Sequence, residues 1–129
     1  MDTTRQRRIL VVDDAVTVRL YCRQVLESAG YVVIEAINGL DGLERLLVTP
    51  ADLLLVDINM PKMDGYSMLH QLRRTPELRD LPAVMVSTEE KPEDAERAFA
   101  AGANFYMAKP IRPDPLVAVI RLVLGEAVR

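Results

Sequence analysis

The chain has 129 residues, of which half are hydrophobic and 27% are charged. That size and balance fit one folded domain and exclude a disordered or fibrous chain. Sixteen basic against 19 acidic residues leave a net charge of −3, which argues against general nucleic-acid affinity.

Residues 1–7 read as a flexible N-terminal arm, and the basic run of Arg5, Arg7 and Arg8 confined to this terminus reads as a solvated arm. The rest of the 129 residues reads as one domain with no linker, repeat or low-complexity tract. Ile9 to Val12 is an apolar run that stops at Asp13 and Asp14. A helical segment follows, with Val18, Cys22, Val25, Leu26 and Ala29 on one face and Gly30 at its C-terminal cap. Cys22 is the only cysteine, which excludes an internal disulfide or cysteine-based zinc site and fits a reducing compartment. Val32 to Ile34 is a β-branched strand, and Asn38–Gly39 carries loop chemistry. Leu40, Leu43 and Leu47 share the face of the next helix.

Asp52 to Val56 is a strand of leucine and valine that stops at Asp57. Pro61 to Gly65 forms a loop, and Tyr66, Leu69 and Leu72 mark the third helix. Ala83 to Val86 stops at Ser87; Pro92 then opens a helix with Ala95, Ala98, Phe99 and Gly102 together. Phe105 to Met107 stops at Lys109–Pro110, before a last helix with Leu116, Val119, Ile120 and Val123 together. The stretch Leu116 to Leu124 is too short to span a bilayer and is interrupted by Arg121. The N-terminus lacks the apolar core of a signal peptide, so no membrane association is expected and the cytoplasm is the default location.

Continuous apolar runs of this length read as strands buried on both faces, which means a parallel sheet. Five strand–helix units in strict alternation predict an α/β fold, doubly wound with helices on both faces. Such sheets bind ligands beyond the carboxyl ends of their strands. Asp13, Asp14, Asp57, Ser87 and Lys109 all fall at those ends.

Three carboxylates gathered there repel one another. Two unit charges about 5 Å apart repel by roughly 0.8 kcal/mol in water and about 3 at an effective dielectric of 20. Three such pairs weigh heavily on a fold stable by about 5–15 kcal/mol. A cation relieves the load, and a small oxygen-lined site suits Mg²⁺, which keeps waters and binds phosphate oxygens. No histidine or cysteine lies near these positions in sequence, which argues against zinc or copper. Asp57 is placed to attack phosphorus as a nucleophile. Mg²⁺, Ser87 and Lys109 would stabilise the equatorial oxygens of the transferring group. Taken singly, each residue has a plainer role. Asp14 or Ser87 serves as a helix N-cap and Lys109 as a solvated ammonium. The joint pattern at successive strand ends is what points to phosphoryl transfer.

The segments ILVVDD (9–14), LLVDINMPKMDG (54–65), VMVS (84–87), AGA (101–103) and KP (109–110) resemble, in order and spacing, the receiver domain of two-component response regulators. The likeness covers residues 8–125 and is greatest to single-domain, CheY-like members of chemotaxis type. It implies a flavodoxin-like, five-stranded parallel sheet of order 2-1-3-4-5 with five helices. It implies that Asp57 is a phosphoacceptor served by a sensor histidine kinase or phosphotransfer protein. Asp13 and Asp14 would be Mg²⁺ ligands beside Asp57, with Asn59 offering its backbone carbonyl. Ser87 would be the hydroxyl that moves toward the phosphoryl group, Lys109 its charge partner, and Lys109–Pro110 a cis bond. Tyr106 matches the switch aromatic, and Asn59 and Glu89 match positions that tune phosphoryl lifetime. The plainer readings are a half-buried edge-strand aromatic for Tyr106 and solvated polar residues for Asn59 and Glu89.

Ser87 stands where threonine is commoner, Ile111 where phenylalanine often follows the Lys-Pro pair, and Ala15 where a bulkier residue is seen. Ile111, Ala15 and Pro92 bear on the output partner and not on the chemistry. His70 reads as an exposed helix residue and not as a relay histidine.

The main expectation is a signalling protein, not an enzyme beyond its own phosphorylation and dephosphorylation. Its output would be protein–protein contact through the fourth helix, fifth strand and fifth helix. Two alternatives remain: a Mg²⁺-dependent phosphohydrolase with an aspartyl-phosphate intermediate, and a receiver-like scaffold that takes no phosphate. The first usually carries a second acid where Asn59 stands, and the second has no use for a repulsive acidic set. A flavin-binding fold of similar topology is disfavoured because no Ser/Thr-rich loop follows the first strand.

Overall fold

The computed structural model describes residues 6–88 and 91–126. Ten elements alternate along the chain: β1 (Arg8–Val12), α1 (Val16–Ser28), β2 (Val32–Ala36), α2 (Gly39–Val48), β3 (Leu53–Asp57), α3 (Gly65–Arg73), β4 (Ala83–Ser87), α4 (Pro92–Ala101), β5 (Phe105–Ala108) and α5 (Pro113–Leu124). The strands form one parallel sheet of order β2-β1-β3-β4-β5. The chain is thus a five-stranded doubly wound α/β fold with five helices, as the sequence predicts.

The apolar runs work because successive strand residues face opposite sides of the sheet. Leu10, Val12, Leu54 and Val56 pack with Leu46, Met68, Leu69 and Ala98 from α2, α3 and α4. Ile9, Val11, Leu53 and Leu55 pack with Cys22, Leu26, Leu116 and Ile120 from α1 and α5. Every residue of β3 and β4 is buried. The edge strands differ from the expectation of two buried faces. β2 is only partly buried and β5 has no buried residue, because each has a neighbour on one side only.

Two other expectations are corrected. The inner face of α2 carries Gly39, Gly42 and Leu46, whereas Leu40 is 47% and Leu47 65% exposed. The reason is Gly42: a Cβ there would lie 2.7 Å from Met68 Cε and 3.1 Å from Val12 Cγ2. The helix therefore approaches on its glycines, which rotates the leucines at 40 and 47 outward. Arg8 is not part of a solvated arm. It begins β1, its N–H donates to Asp52 Oδ2 at 2.7 Å, and its guanidinium donates to the Pro50 carbonyl at 2.7 Å. Of the remaining expected arm, Gln6 donates to the Gly30 carbonyl and the Arg7 carbonyl accepts from Val32 N–H. Residues 1–5 lie outside the described residues.

The loop from β3 to α3 determines what surrounds the end of β3. Its Gly65 N–H donates to the Ile58 carbonyl at 2.9 Å, and the Met63 carbonyl accepts from Gly39 N–H at 3.2 Å. Asp64 caps α3 by accepting from Ser67 N–H at 2.8 Å. The loop folds so tightly that a Cβ on Gly65 would stand 2.6 Å from the Asp57 carbonyl oxygen and 3.0 Å from Ile58 Cα. Those atoms are backbone and cannot swing aside. Gly65→Ala is therefore expected to lower stability by about 1–3 kcal/mol, the usual range for overpacking. Gly42→Ala meets the flexible end of Met68 first and should cost less. Urea denaturation of the two variants checks the order; an equal or reversed cost would contradict it.

Candidate functional site

The site is built at the ends of four strands, β1, β3, β4 and β5. Asp13 follows β1 directly, and its N–H extends the ladder by donating to the Ala36 carbonyl at 3.2 Å. Its Oδ1 accepts from Ala15 N–H at 2.8 Å, an Asx turn that fixes the carboxylate. Asp57 is the last residue of β3 and pairs in register with Val86, the neighbour of Ser87. Ser87 ends β4 and is fully buried. Lys109 follows β5, and its N–H donates to the Ser87 carbonyl at 2.7 Å. The Lys109–Pro110 peptide is cis.

One carboxylate oxygen each from Asp13, Asp14 and Asp57 lies within 4.8 Å of the others. Asp13 and Asp57 are buried and Asp14 is exposed. Lys109 Nζ sits 3.3 Å from Asp13 Oδ2 and 3.2 Å from Asp57 Oδ1, bridging the two buried acids. Burial and the Asp13 charge push the Asp57 carboxyl above its ordinary pKa, although Lys109 pulls the other way. Burial disfavours the charged form of Lys109, but Asp13 and Asp57 outweigh it and hold its pKa above the ordinary value. The donor set is wholly oxygen, partly open and doubly negative after one ammonium is counted. Those properties fit a hard divalent cation such as Mg²⁺.

The structure thus gathers Asp13, Asp14, Asp57 and Lys109, and it puts Ser87 beside them on the adjacent strand end. Asp14 does not cap α1; the N-cap is Ala15, with no side-chain cap bond. Asn59 is exposed, two residues beyond Asp57. Tyr106 is half-buried on β5 and packs against the core beneath α2, α3 and α4. Glu89 lies outside the described residues. His70 is exposed on α3. Cys22 is buried on the inner face of α1, and burial with the Asp13 charge raises its pKa to about 11, so it acts as a small apolar group.

Sequence reasoning missed one connected group. Arg19 on α1 donates through Nε to Glu35 Oε1 at 2.9 Å and through a terminal nitrogen to the Asp13 carbonyl at 2.7 Å. Arg23, one turn on, donates to the other Glu35 oxygen at 2.8 Å and to Glu27. The signal available was Glu35, a lone acid in the strand VVIEA, opposite two arginines four residues apart on a helix.

Residues 9–121 match the family model described as the response regulator receiver domain. The chain is 33% identical over 120 residues to chemotaxis protein CheY1 of Helicobacter pylori, covering 92% of this chain and 97% of that protein. It is 36% identical over 115 residues to the sensor histidine kinase CheAY of the same species, covering 88% of this chain. Here the chain spans only 14% of the relative's length. The structure of chemotaxis protein CheY4 of Vibrio cholerae superposes with a TM-score of 0.88 at 29% identity, covering 92% of this chain and 99% of that one. A parallel sheet in the order β2-β1-β3-β4-β5, an acidic triad at its carboxyl edge and a family match across most of the chain agree: the protein belongs to the response regulator receiver domain family.

Proposed function

We propose that this protein is a phosphorylation-dependent switch in a two-component relay, with residues 1–129 forming one receiver domain. Asp57 is the phosphoacceptor. The observation that carries the proposal is its position: a buried carboxylate at a strand end, within 4.8 Å of two other acids and 3.2 Å from an ammonium. Receiver domains are signalling proteins and not conventional enzymes. The only chemistry assigned here is the chain's own phosphorylation and dephosphorylation.

An Asp57 carboxylate oxygen attacks the phosphorus of a phosphohistidine on a sensor kinase or phosphotransfer protein. An O–P bond forms, the N–P bond breaks, and the electron pair returns to the imidazole. Asp13, Asp14, Asp57 and the Asn59 carbonyl are assigned as holders of Mg²⁺, which supplies neutralising charge for the phosphoryl oxygens. Lys109 already bridges Asp13 and Asp57 and turns to the new phosphoryl oxygens. Ser87 offers its hydroxyl from the next strand end. Asn59 and Glu89 are assigned to tuning phosphoryl lifetime, and Tyr106 to reporting the move of Ser87. The output surface is assigned to α4, β5 and α5, with a protein as its target and no nucleic acid or membrane. On it Phe99 and Leu122 are 50% and 62% exposed. The likeness to CheY1 favours a chemotaxis-type output. No described helix is long and apolar enough to cross a membrane.

Incubation with acetyl phosphate and Mg²⁺, followed by intact mass, tests the core of this proposal. The chain should gain one phosphoryl group; Asp57→Asn, or chelation of the metal, should abolish the gain. No labelling of the intact chain would favour the scaffold alternative. Steady turnover of a phosphate ester, lost in Asp57→Asn, would favour the phosphohydrolase. A pull-down with and without beryllofluoride tests the output; identical partners in both states would defeat the switch.

The raised Asp57 pKa makes a second prediction. A carboxyl whose pKa is higher folded than unfolded destabilises the fold once it ionises, so stability falls as pH rises through the carboxylate range. Without divalent cations, Asp57→Asn should therefore be more stable than the unsubstituted chain at pH 7. The difference should vanish below the ordinary pKa of 3.8, where the carboxyl is protonated in both states. Mg²⁺ at about ten times its Kd should stabilise the unsubstituted chain by about 1.4 kcal/mol. Urea titrations with EDTA or Mg²⁺ measure both effects. A less stable Asp57→Asn at pH 7 would contradict the assignment of net repulsion.

A further inference from the structure

We infer that Arg19 is a positioning residue for the metal ligands, acting through the main chain of Asp13. The inference rests on the proposed role of Asp13 and Asp14 as metal ligands, and it concerns what aims them.

Besides the Lys109 ammonium at its Oδ2, Asp13 is held at three further points. Its N–H donates to the Ala36 carbonyl, its Oδ1 accepts from Ala15 N–H, and its carbonyl accepts from Arg19 at 2.7 Å. The peptide joining Asp13 to Asp14 is planar, so fixing that carbonyl fixes the Asp14 N–H and the position of the Cα from which its side chain leaves. Asp14 is the exposed member of the triad and follows the chain into the turn before α1, so it has most to gain from a fixed peptide plane.

Arg19 is itself locked. Its Nε binds Glu35 Oε1 at 2.9 Å, and Glu35 is pinned from the other side by Arg23 at 2.8 Å. The Arg19 side chain is 13% exposed. A planar guanidinium held at one edge by a carboxylate presents its other nitrogens in a fixed direction. The Glu35 carboxylate also offsets the Arg19 charge, so the arginine contributes direction more than field. The path runs from β2, through a side chain of α1, to the backbone of the loop that carries two of the three acids.

Arg23 supplies the control. It shares Glu35 and anchors the same seam between α1 and β2, but its bonds go to Glu35 and Glu27 and not to Asp13. Isothermal titration of the cation-stripped chain with Mg²⁺ reads affinity without any phosphorylation assay. Arg19→Ala should weaken Mg²⁺ binding about five- to tenfold. Arg19→Lys keeps the charge but not the planar fork, and should weaken it two- to fivefold. Arg23→Ala loosens Glu35 but leaves both Arg19 bonds in place, so it should weaken binding by less than half the factor lost in Arg19→Ala while losing comparable stability in urea. If Arg19→Ala is too unstable to titrate, Arg19→Lys carries the test. Binding within twofold of the unsubstituted chain in the Arg19 variants would overturn the inference. So would an equal loss in Arg23→Ala, which would reduce the effect to seam stability. Failure of the unsubstituted chain to bind Mg²⁺ would overturn both this inference and the metal assignment beneath it.

Discussion

One electrostatic constraint organises this molecule: two buried carboxylates and a third at the surface share a space a few ångströms across. Among the described residues one ammonium, on Lys109, answers them. The arrangement opposes folding, since burial and Asp13 together raise the Asp57 pKa. A fold tolerates such a cost where the site has work to do, and the rest of the molecule supplies the stability that offsets it. The central strands β1, β3 and β4 are packed on both faces, and their buried leucines and valines stand directly beneath the acids.

The same strands explain why the charges meet at all. In a parallel sheet every strand ends on the same edge, so residues 13, 57, 87 and 109 become neighbours despite wide separation in sequence. Their exact approach is then set by small devices at that edge. The Asx turn holds the Asp13 carboxylate, Gly65 lets the β3–α3 loop lie against the Asp57 backbone, and the Lys109 N–H continues the ladder onto Ser87. None is large in energy. Each removes a degree of freedom from a group whose charge would otherwise drive it outward.

The parts legible in the sequence were those with a strong periodic or chemical signature. Apolar runs marked all five strands, and for four of them the polar residue at which the run stops is one that the edge brings together. The misjudged parts were those where tertiary approach overrides local pattern. Leu40 and Leu47 had helical spacing, but the close packing available to Gly39 and Gly42 decided which face of α2 turned inward. Arg8 looked like part of a charged arm because hydropathy says nothing of a strand's first residue. Its bonds to Asp52 and Pro50 cross the sheet and have no local signal. The Arg19–Glu35–Arg23 group was invisible for a related reason. Charged residues at helical spacing usually face solvent, and only strand pairing places Glu35 within reach of both arginines.

The coupling from site to surface can also be followed bond by bond. Lys109 touches Asp13 and Asp57 with its side chain and holds the Ser87 carbonyl with its backbone. A phosphoryl group on Asp57 would add negative charge beside that ammonium, so the balance holding Lys109 between two acids cannot survive phosphorylation unchanged. Any shift in Lys109 or Ser87 is shared between them through the 2.7 Å backbone bond, and it enters β5, where Ala108 pairs with Ser87 and Tyr106 with Met85. β5 is the sheet's least buried strand, with a neighbour on one side only. Of the five strands it therefore has the least packing to lose by moving. The charge balance at Lys109 and the weak burial of β5 together favour transmission toward this edge over the well-packed centre of the sheet.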